Sequence, residues 1–119
     1  MQQFIVDTHV HVWNFERAQY DWLKGDTSIL NRSYHLEELE QERIKAGVNG
    51  GVLVQAANNP EDTTWMLEVA GQNEWIKGVV GWLPLMNPSA TSKELTEKYS
   101  DQKYFKGIRH LVHDEPDSK

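Results

Sequence analysis

The stretch Phe4-Ile5-Val6-Asp7-Thr8-His9-Val10-His11-Val12 decides the fold class. It is rich in β-branched residues, which predicts a strand. Because side chains alternate along a strand, one face carries mainly apolar residues and the other carries both histidines. The first face takes Phe4, Val6, Thr8, Val10 and Val12, and the second takes Ile5, Asp7, His9 and His11. This pattern is typical of a strand that lies between packed helices and a functional cavity.

Strands and helices alternate along the rest of the chain. Ser33 is predicted to cap a first helix that ends at Gly47, and Asn59-Pro60-Glu61-Asp62 to begin a second. A weaker third helix is expected from Pro88 to about Tyr99. Further strands are predicted over residues 50–56, 75–85 and 105–113. The order β-α-β-α-β-α-β indicates an α/β fold with right-handed crossovers and a parallel sheet.

A long connection, residues 13–32, separates the first strand from the first helix. It carries the aromatic residues Phe15, Tyr20 and Trp22 but shows no clear periodicity. Loops of this length within compact domains are uncommon and are often functional. Two interpretations stay open: a surface flap pinned by its aromatic side chains, or a segment that covers a substrate.

The composition limits the function classes. The chain has 119 residues, of which 39% are hydrophobic and 25% charged, so a globular domain with a real core is expected. A net charge of −6 argues against a nucleic-acid-binding surface. The absence of cysteine excludes disulfides and thiolate metal sites. No signal peptide and no membrane-spanning stretch is recognisable, which makes a cytoplasmic protein the expectation.

His9 and His11 are the candidate metal ligands. Residues two apart on a strand share a face, with Cα atoms about 6.6 Å apart. Two imidazoles at that spacing can converge on one divalent ion such as zinc, iron or nickel. The pair also lies at the carboxyl end of the first strand, where parallel α/β folds place their active sites. Asp7 is expected either to support the ligands or to be a buried, hydrogen-bonded carboxylate.

The residues around this pair resemble a known family. Val6-Asp7-Thr8-His9-Val10-His11 is similar to the strand-1 metal motif of the amidohydrolase superfamily. The similarity extends to the amidohydrolase-related group that contains sugar lactonases and pyrone-dicarboxylate lactonase. The further matching segments are Trp13-Asn14, Tyr20-Asp21-Trp22-Leu23, Gly51-Val52-Leu53-Val54-Gln55-Ala56 and Gly107-Ile108-Arg109-His110-Leu111-Val112-His113-Asp114-Glu115-Pro116.

The resemblance implies a particular architecture. Members of the family are (β/α)8 barrels, so residues 1–119 are expected to be the N-terminal part of one TIM-like barrel domain, with four of its eight strands. In the family, histidines from strands five and six and an aspartate from strand eight complete the site. No residue of this chain takes those roles, and the catalytic base is therefore not assigned. The implied cofactor is a divalent metal, with zinc as the first expectation and the need for it left open.

Three residues are candidates for substrate binding. Arg109 and His113 share a face of the predicted fourth strand, and this face points inward if the Ile108 face packs on helices. An inward arginine fits a carboxylate or sugar-acid substrate, whereas an ion pair with Asp7 is the structural alternative. Gln55, at the end of the second strand, either contacts the substrate or caps a loop.

The leading functional hypothesis is a metal-dependent hydrolase of a lactone or related cyclic ester, acting on a small molecule such as a sugar-acid lactone. This chain alone would be inactive. Two alternatives stay open. The chain could be a noncatalytic half-barrel that self-associates through its sheet edges, or part of a metal-dependent decarboxylase of aromatic acids. Neither a nucleic acid nor a membrane is expected as a partner.

Overall fold

The fold is a four-stranded parallel sheet whose strands are joined through helices. A computed structural model of the chain describes residues 3–112. Neighbouring strands follow the chain order β1-β2-β3-β4, and all three pairings are parallel. The strands are β1 (Ile5–Val10), β2 (Val48–Val54), β3 (Ile76–Gly81) and β4 (Phe105–Ile108), and the helices are α1 (Glu40–Ala46), α2 (Pro60–Gln72) and α3 (Pro88–Glu94). The predicted α/β class with a parallel sheet is confirmed.

The start of the first helix differs from the prediction. A 3-10 turn, Leu36–Leu39, leads into α1, and its cap is His35, whose backbone N–H donates to Glu38 Oε2 at 2.9 Å. Ser33 is not the cap, because its Oγ instead accepts the backbone N–H of Phe15 at 2.8 Å. The helix ends as predicted at Gly47, which adopts a left-handed φ of 76°. Glycine tolerates this conformation without a steric penalty.

Helix α2 begins as predicted. Asn59 Oδ1 accepts the backbone N–H of Asp62 at 2.9 Å, and Pro60 occupies the first helical position. Both features satisfy or remove N–H groups that have no partner within the helix. The third helix is shorter than predicted, since α3 ends at Glu94 and Leu95–Tyr99 forms a π-helical turn.

Two of the predicted strands end early. Strand β3 stops at Gly81, because the backbone N–H of Trp82 donates to Thr63 Oγ1 on α2 at 2.8 Å rather than to another strand. Strand β4 stops at Ile108, and the last residue predicted for it, His113, lies outside the described residues. Strand β2 begins and ends two residues earlier than predicted, at Val48 and Val54.

Two register shifts interrupt the pairing of β1 with β2, one between Ile5 and Val6 and one between Asp7 and Val10. Asp7 pairs with Gly51 and Val10 pairs with Leu53, so β1 carries one more residue than β2 between these pairs. The predicted single apolar face is therefore wrong for the first half of the strand. Val10 and Val12 are buried in the core, whereas Phe4 and Val6 are 67% and 39% exposed. An extra residue of this kind bends a strand and re-aims its side chains.

The core lies between the sheet and the helices, chiefly α2. The cluster consists of Val10, Val12, Leu36, Leu53, Met66, Val69, Ala70, Trp75, Ile76 and Val79. Its members come from β1, β2, β3, α2, the 3-10 turn before α1 and adjoining loop residues, so the core fixes the strands that position the candidate site. Within residues 3–112, no helix is long and apolar enough to cross a membrane.

Candidate metal centre

His9 and His11 lie on either side of Val10 at the end of β1. Since Val10 is buried in the core between sheet and helices, alternation carries both imidazoles to the opposite side of the sheet. His9 is exposed and His11 is half-buried. The two rings meet edge to face, with their centroids 4.7 Å apart. The two histidines, which are two residues apart in sequence, therefore have their side chains in direct contact in the folded chain.

A backbone carbonyl fixes the orientation of His11. Its Nδ1 lies 2.8 Å from the carbonyl oxygen of Val54 at the end of β2. A carbonyl oxygen only accepts, so Nδ1 must carry the ring proton. In the neutral ring this leaves Nε2 with a free lone pair. A hydrogen bond of this type sets the tautomer of metal-binding histidines in general.

The two Nε2 atoms point at each other. His9 Nε2 and His11 Nε2 are 3.0 Å apart, and Arg109 Nη1 lies 3.3 Å from His9 Nε2. If His9 Nε2 donates to His11, it cannot also accept from Arg109, so protons alone do not satisfy all three groups at once. A divalent cation would take the lone pairs of both imidazoles. The donor chemistry of this pair therefore fits a metal such as zinc.

The surroundings of His11 favour its neutral form. Burial lowers the pKa of His11 below its ordinary value, and the nearby His9 and Arg109 lower it further, while the bond to the Val54 carbonyl opposes the shift. Metal binding requires the neutral imidazole. The shift is therefore in the direction that favours a ligand role.

Arg109 reaches the histidines from β4. Its backbone N–H donates to the Gly81 carbonyl at 2.9 Å, which continues the pairing of β4 with β3 for one residue. Among residues 3–112, no carboxylate forms an ion pair with Arg109. The alternative of a pair with Asp7 is not observed, because Asp7 is exposed and its Oδ1 accepts the backbone N–H of His9 at 3.0 Å. Within residues 3–112, the guanidinium therefore lies beside the His9 imidazole without a carboxylate partner.

Gln55 supports a loop. Its side chain is fully buried, and Nε2 donates to the Ala57 carbonyl at 3.2 Å and to Asn58 Oδ1 at 3.1 Å. Its Oε1 has no hydrogen-bond partner among the described residues. This arrangement corresponds to the loop-capping alternative. Of the other histidines, His110 accepts a hydrogen bond from Trp82 Nε1 at 2.9 Å, and His113 lies outside the described residues.

Asn58 is a residue that sequence reasoning missed. Its Oδ1 accepts the backbone N–H of Leu111 at 2.9 Å, and its Nδ2 donates to the Leu111 carbonyl at 3.0 Å. The side-chain amide thus links the loop after β2 to the segment after β4. One sequence signal was available: polar residues directly after a buried parallel strand lie at the active-site edge of such sheets.

Aromatic side chains pin the connection between β1 and α1, here called the flap (residues 13–32). Trp13, Tyr20 and Leu23 form a second buried cluster with Ala56 and Ala57, the residues that follow β2. Trp22 Nε1 donates to the Ala56 carbonyl at 2.7 Å. These contacts agree with the interpretation of a pinned flap, and they attach it to the loop that follows Gln55.

The buried carboxylate of Asp62 binds both the flap and the loop after β2. The Tyr20 hydroxyl donates to Asp62 Oδ1 at 2.7 Å, and the Ala56 backbone N–H donates to Asp62 Oδ2 at 2.8 Å. Burial raises the pKa of Asp62, and burial together with the Asp62 charge raises the pKa of Tyr20. From the sequence, Asp62 was interpreted only as an acid in the first turn of a helix.

The metal centre is incomplete within residues 3–112. No group of three or more His, Cys, Asp or Glu side chains is gathered there that could hold a metal ion. A cleft of about 740 Å³, lined in part by Asn49, Trp75 and Lys77, lies where β2 and β3 begin. This is the opposite end of the sheet from the histidines. A metal held by the pair at the end of β1 would therefore need further ligands from outside residues 3–112.

Comparison with known proteins identifies relatives of the chain. No protein-family model matches the chain. It is 30% identical over 111 residues to an L-fucono-1,5-lactonase from Burkholderia ambifaria, an alignment that covers 93% of this chain and 38% of the relative. A second protein of that name, from Burkholderia multivorans, is 30% identical and is covered over 37% of its length.

A solved structure agrees with these relatives. An amidohydrolase from Burkholderia multivorans, crystallised with bound Zn, superposes with a TM-score of 0.78 at 28% identity, over 95% of this chain and 39% of that one. The relatives of this chain are therefore L-fucono-1,5-lactonases and amidohydrolases. The chain spans about two fifths of the length of the curated relatives that it matches. Its four parallel strands accordingly form part of a TIM barrel, as predicted.

Proposed function

We propose that the protein to which this chain belongs is a metal-dependent hydrolase that opens a lactone or related cyclic ester. The observation that carries the proposal is the approach of His9 Nε2 to His11 Nε2 at 3.0 Å, with the Val54 carbonyl holding the His11 ring. The two relatives named L-fucono-1,5-lactonase support a sugar-acid lactone as the substrate class.

Lactone hydrolysis adds water to the carbonyl carbon and breaks the ring C–O bond. The products are a hydroxyl group, a carboxylate and one proton. A divalent metal, when bound, polarises the carbonyl oxygen and lowers the pKa of a bound water. In this chain, His9 and His11 would hold the metal through Nε2, with zinc as the favoured ion.

The remaining residues would bind the substrate and support the site. Arg109, which has no carboxylate partner among the described residues, would bind the carboxylate of the sugar acid as it forms. Gln55 would act indirectly, by holding the loop after β2, since its side chain is fully buried. His113 stays a prediction as a substrate-binding residue.

The 119-residue chain alone is expected to be inactive, because the third ligand and the catalytic base would lie in further sequence. The test compares this chain with a version extended to the full length of the relatives, measuring bound zinc and the hydrolysis of L-fucono-1,5-lactone. The extended protein should hydrolyse the lactone and lose both zinc and activity in His11→Ala. The matched control is His35→Ala, which removes an exposed histidine at a helix cap. Equal activity in the short and extended proteins would contradict the proposal.

Product analysis separates hydrolysis from decarboxylation. The extended protein is incubated with a panel of lactones and a panel of aromatic acids. Ring-opened acids without release of carbon dioxide support the hydrolase. Release of carbon dioxide from an aromatic acid, with no lactone opened, would contradict the hydrolase proposal and indicate a decarboxylase.

Self-association is a second candidate property of the short chain. Phe4, Ile5 and Val6 are 67%, 40% and 39% exposed along β1, which is an outer strand of the sheet. Unpaired strand edges with apolar side chains favour pairing with another chain. We propose that two copies of the short chain associate through β1. Light scattering should show a dimer that Val6→Lys weakens, and a stable monomer would refute the idea.

A further inference from the structure

The segment that carries Arg109 is held on both sides. The strand pairing of β4 ends at Ile108, and the Arg109 N–H still donates to the Gly81 carbonyl of β3. Beyond Arg109, the His110 side chain accepts a hydrogen bond from Trp82 Nε1 at 2.9 Å, and Leu111, which is 7% exposed, is the next residue whose backbone is bound. The backbone position of Leu111 therefore contributes to the orientation of Arg109.

The side chain of Asn58 provides this anchor. Its Nδ2 donates to the Leu111 carbonyl at 3.0 Å, and its Oδ1 accepts the Leu111 N–H at 2.9 Å. The side-chain amide thus takes the place of the backbone of a neighbouring strand. The Leu111 N–H must face an oxygen and the Leu111 carbonyl an N–H, so only one amide orientation satisfies both bonds. Gln55 Nε2 donates to the same Asn58 oxygen at 3.1 Å and braces it from a fully buried position.

Arg109 lies between the bond to Gly81 and the bonds to Asn58, and its side chain contacts His9. Its Nη1 is 3.3 Å from His9 Nε2. Within residues 3–112, the hydrogen bonds of Asn58 go to Gln55 and Leu111 and not to His9 or His11, so an effect on the histidines would have to pass through residues 109–111. The distance in sequence between Asn58 and Leu111 is 53 residues, so this link exists only in the folded chain.

We propose that Asn58 is a positioning residue that holds Arg109 beside His9 and so sets the recognition of an anionic, carboxylate-bearing ligand. The inference rests on the proposed function for the identity of the ligand. The contact between Arg109 and His9 does not depend on it. Loss of the Asn58 amide would release the backbone of Leu111, although His110 stays bound to Trp82, and would let the guanidinium shift away from His9.

A spectroscopic experiment on the metal-free 119-residue chain tests the link without catalysis. The measured quantity is the ¹⁵N chemical shift of His9 Nε2. Arg109→Gln should move this signal, and Asn58→Ala should move it in the same direction. The matched control is Asn31→Ala, which removes an exposed amide that also donates to a backbone carbonyl. Asn58→Asp keeps the acceptor for Leu111 and serves if the alanine variant fails to fold. An unmoved His9 signal in a folded Asn58 variant overturns the proposal.

A binding experiment on the extended, zinc-loaded protein tests the ligand. The probes are L-fuconate, which carries the carboxylate, and L-fucitol, its uncharged counterpart. Asn58→Ala and Arg109→Gln should each weaken fuconate binding about tenfold, as expected for one charged hydrogen bond. The double variant should lose no more than about twofold beyond Arg109→Gln, because residues that act as a unit are not additive.

The outcomes separate the two proposals. Additive losses, or an equal loss of fucitol binding, would show that Asn58 is only structural and would overturn the inference. If the unmodified protein binds neither probe, the proposed sugar-acid ligand fails, while the His9 signal still decides whether Asn58 positions Arg109.

Discussion

The hydroxyl of Tyr20 donates a 2.7 Å hydrogen bond to Asp62 Oδ1, across 42 residues of sequence. Both groups are buried, and the bond joins the flap to the first turn of α2. Tyr20→Phe would remove the donor and leave a buried carboxylate oxygen short of one partner. We expect the free energy of unfolding to fall by about 1–3 kcal/mol, measured by urea denaturation.

A matched tyrosine provides the control. Tyr99 is also buried, yet its hydroxyl has no hydrogen-bond partner among the described residues, and its ring stacks on Phe105. Tyr99→Phe keeps the stacking and removes an unsatisfied polar group, so stability should stay unchanged or rise by about 1 kcal/mol. Equal losses of unfolding free energy in Tyr20→Phe and Tyr99→Phe would show that the hydrogen bond to Asp62 does not stabilise the fold.

The pH dependence of stability should report the burial of Asp62. Burial raises its pKa above the ordinary value of 3.8, against opposing hydrogen bonds from Tyr20 and the backbone. A carboxyl with a raised folded-state pKa stabilises the fold below its unfolded pKa and loses this contribution as the pH rises through the folded value. The unfolding free energy of the unmodified chain minus that of Asp62→Asn should therefore fall from acidic toward neutral pH. A difference that rises with pH would contradict the assignment.

Any side chain larger than that of glycine is predicted to clash with its neighbours at position 81. A Cβ at this position would lie 2.7 Å from Thr63 Cγ2 and 2.9 Å from Phe105 Cε2. Thr63 cannot easily move, because its hydroxyl bonds both the N–H and the carbonyl of Trp82. Gly81→Ala should cost about 1–3 kcal/mol through overpacking.

The control for this substitution is Gly71→Ala in helix α2. A Cβ there meets nothing within 4 Å, and its φ is not left-handed. Alanine at a helical position of this kind should stabilise the chain by about 0.4–1 kcal/mol. Thermal melts of the two variants should therefore shift in opposite directions, and a shared downward shift would refute the steric argument.

The tautomer of His11 is a direct prediction of the bond to Val54. In the neutral ring, the proton should reside on Nδ1 and the lone pair on Nε2, because the Val54 carbonyl only accepts. Two-bond ¹⁵N–¹H correlation spectra of the metal-free chain distinguish the tautomers. A neutral His11 protonated on Nε2 would mean that the bond to Val54 is absent in solution.

The sequence predicted those features that depend on local pattern. Alternation and the His9-Val10-His11 spacing placed both imidazoles on one side of the sheet, and the cap at Asn59 set the start of α2 correctly. The register shift in β1 was not predictable, because it arises from pairing between Asp7 and Gly51 and between Val10 and Leu53.

Hydrogen bonds between residues that are distant in sequence could not be predicted either. The roles of Asn58 and Asp62 depend on Leu111 and Tyr20, which are distant in sequence and adjacent only after folding. Periodicity and capping rules use neighbours within a few residues. They therefore identified Asp62 as a helix-start acid and left Asn58 without a role.

Asn59 caps α2 with one atom and holds the flap with another. Its Oδ1 accepts the N–H of Asp62, and its Nδ2 donates to the carbonyl of Gln19 at 2.7 Å. Because one side chain serves both segments, fraying of α2 at its start would also break this contact with the flap. Hydrogen exchange should then report a single cooperative opening for residues of both segments. The flap would then open together with the end of a helix rather than as an independently moving loop.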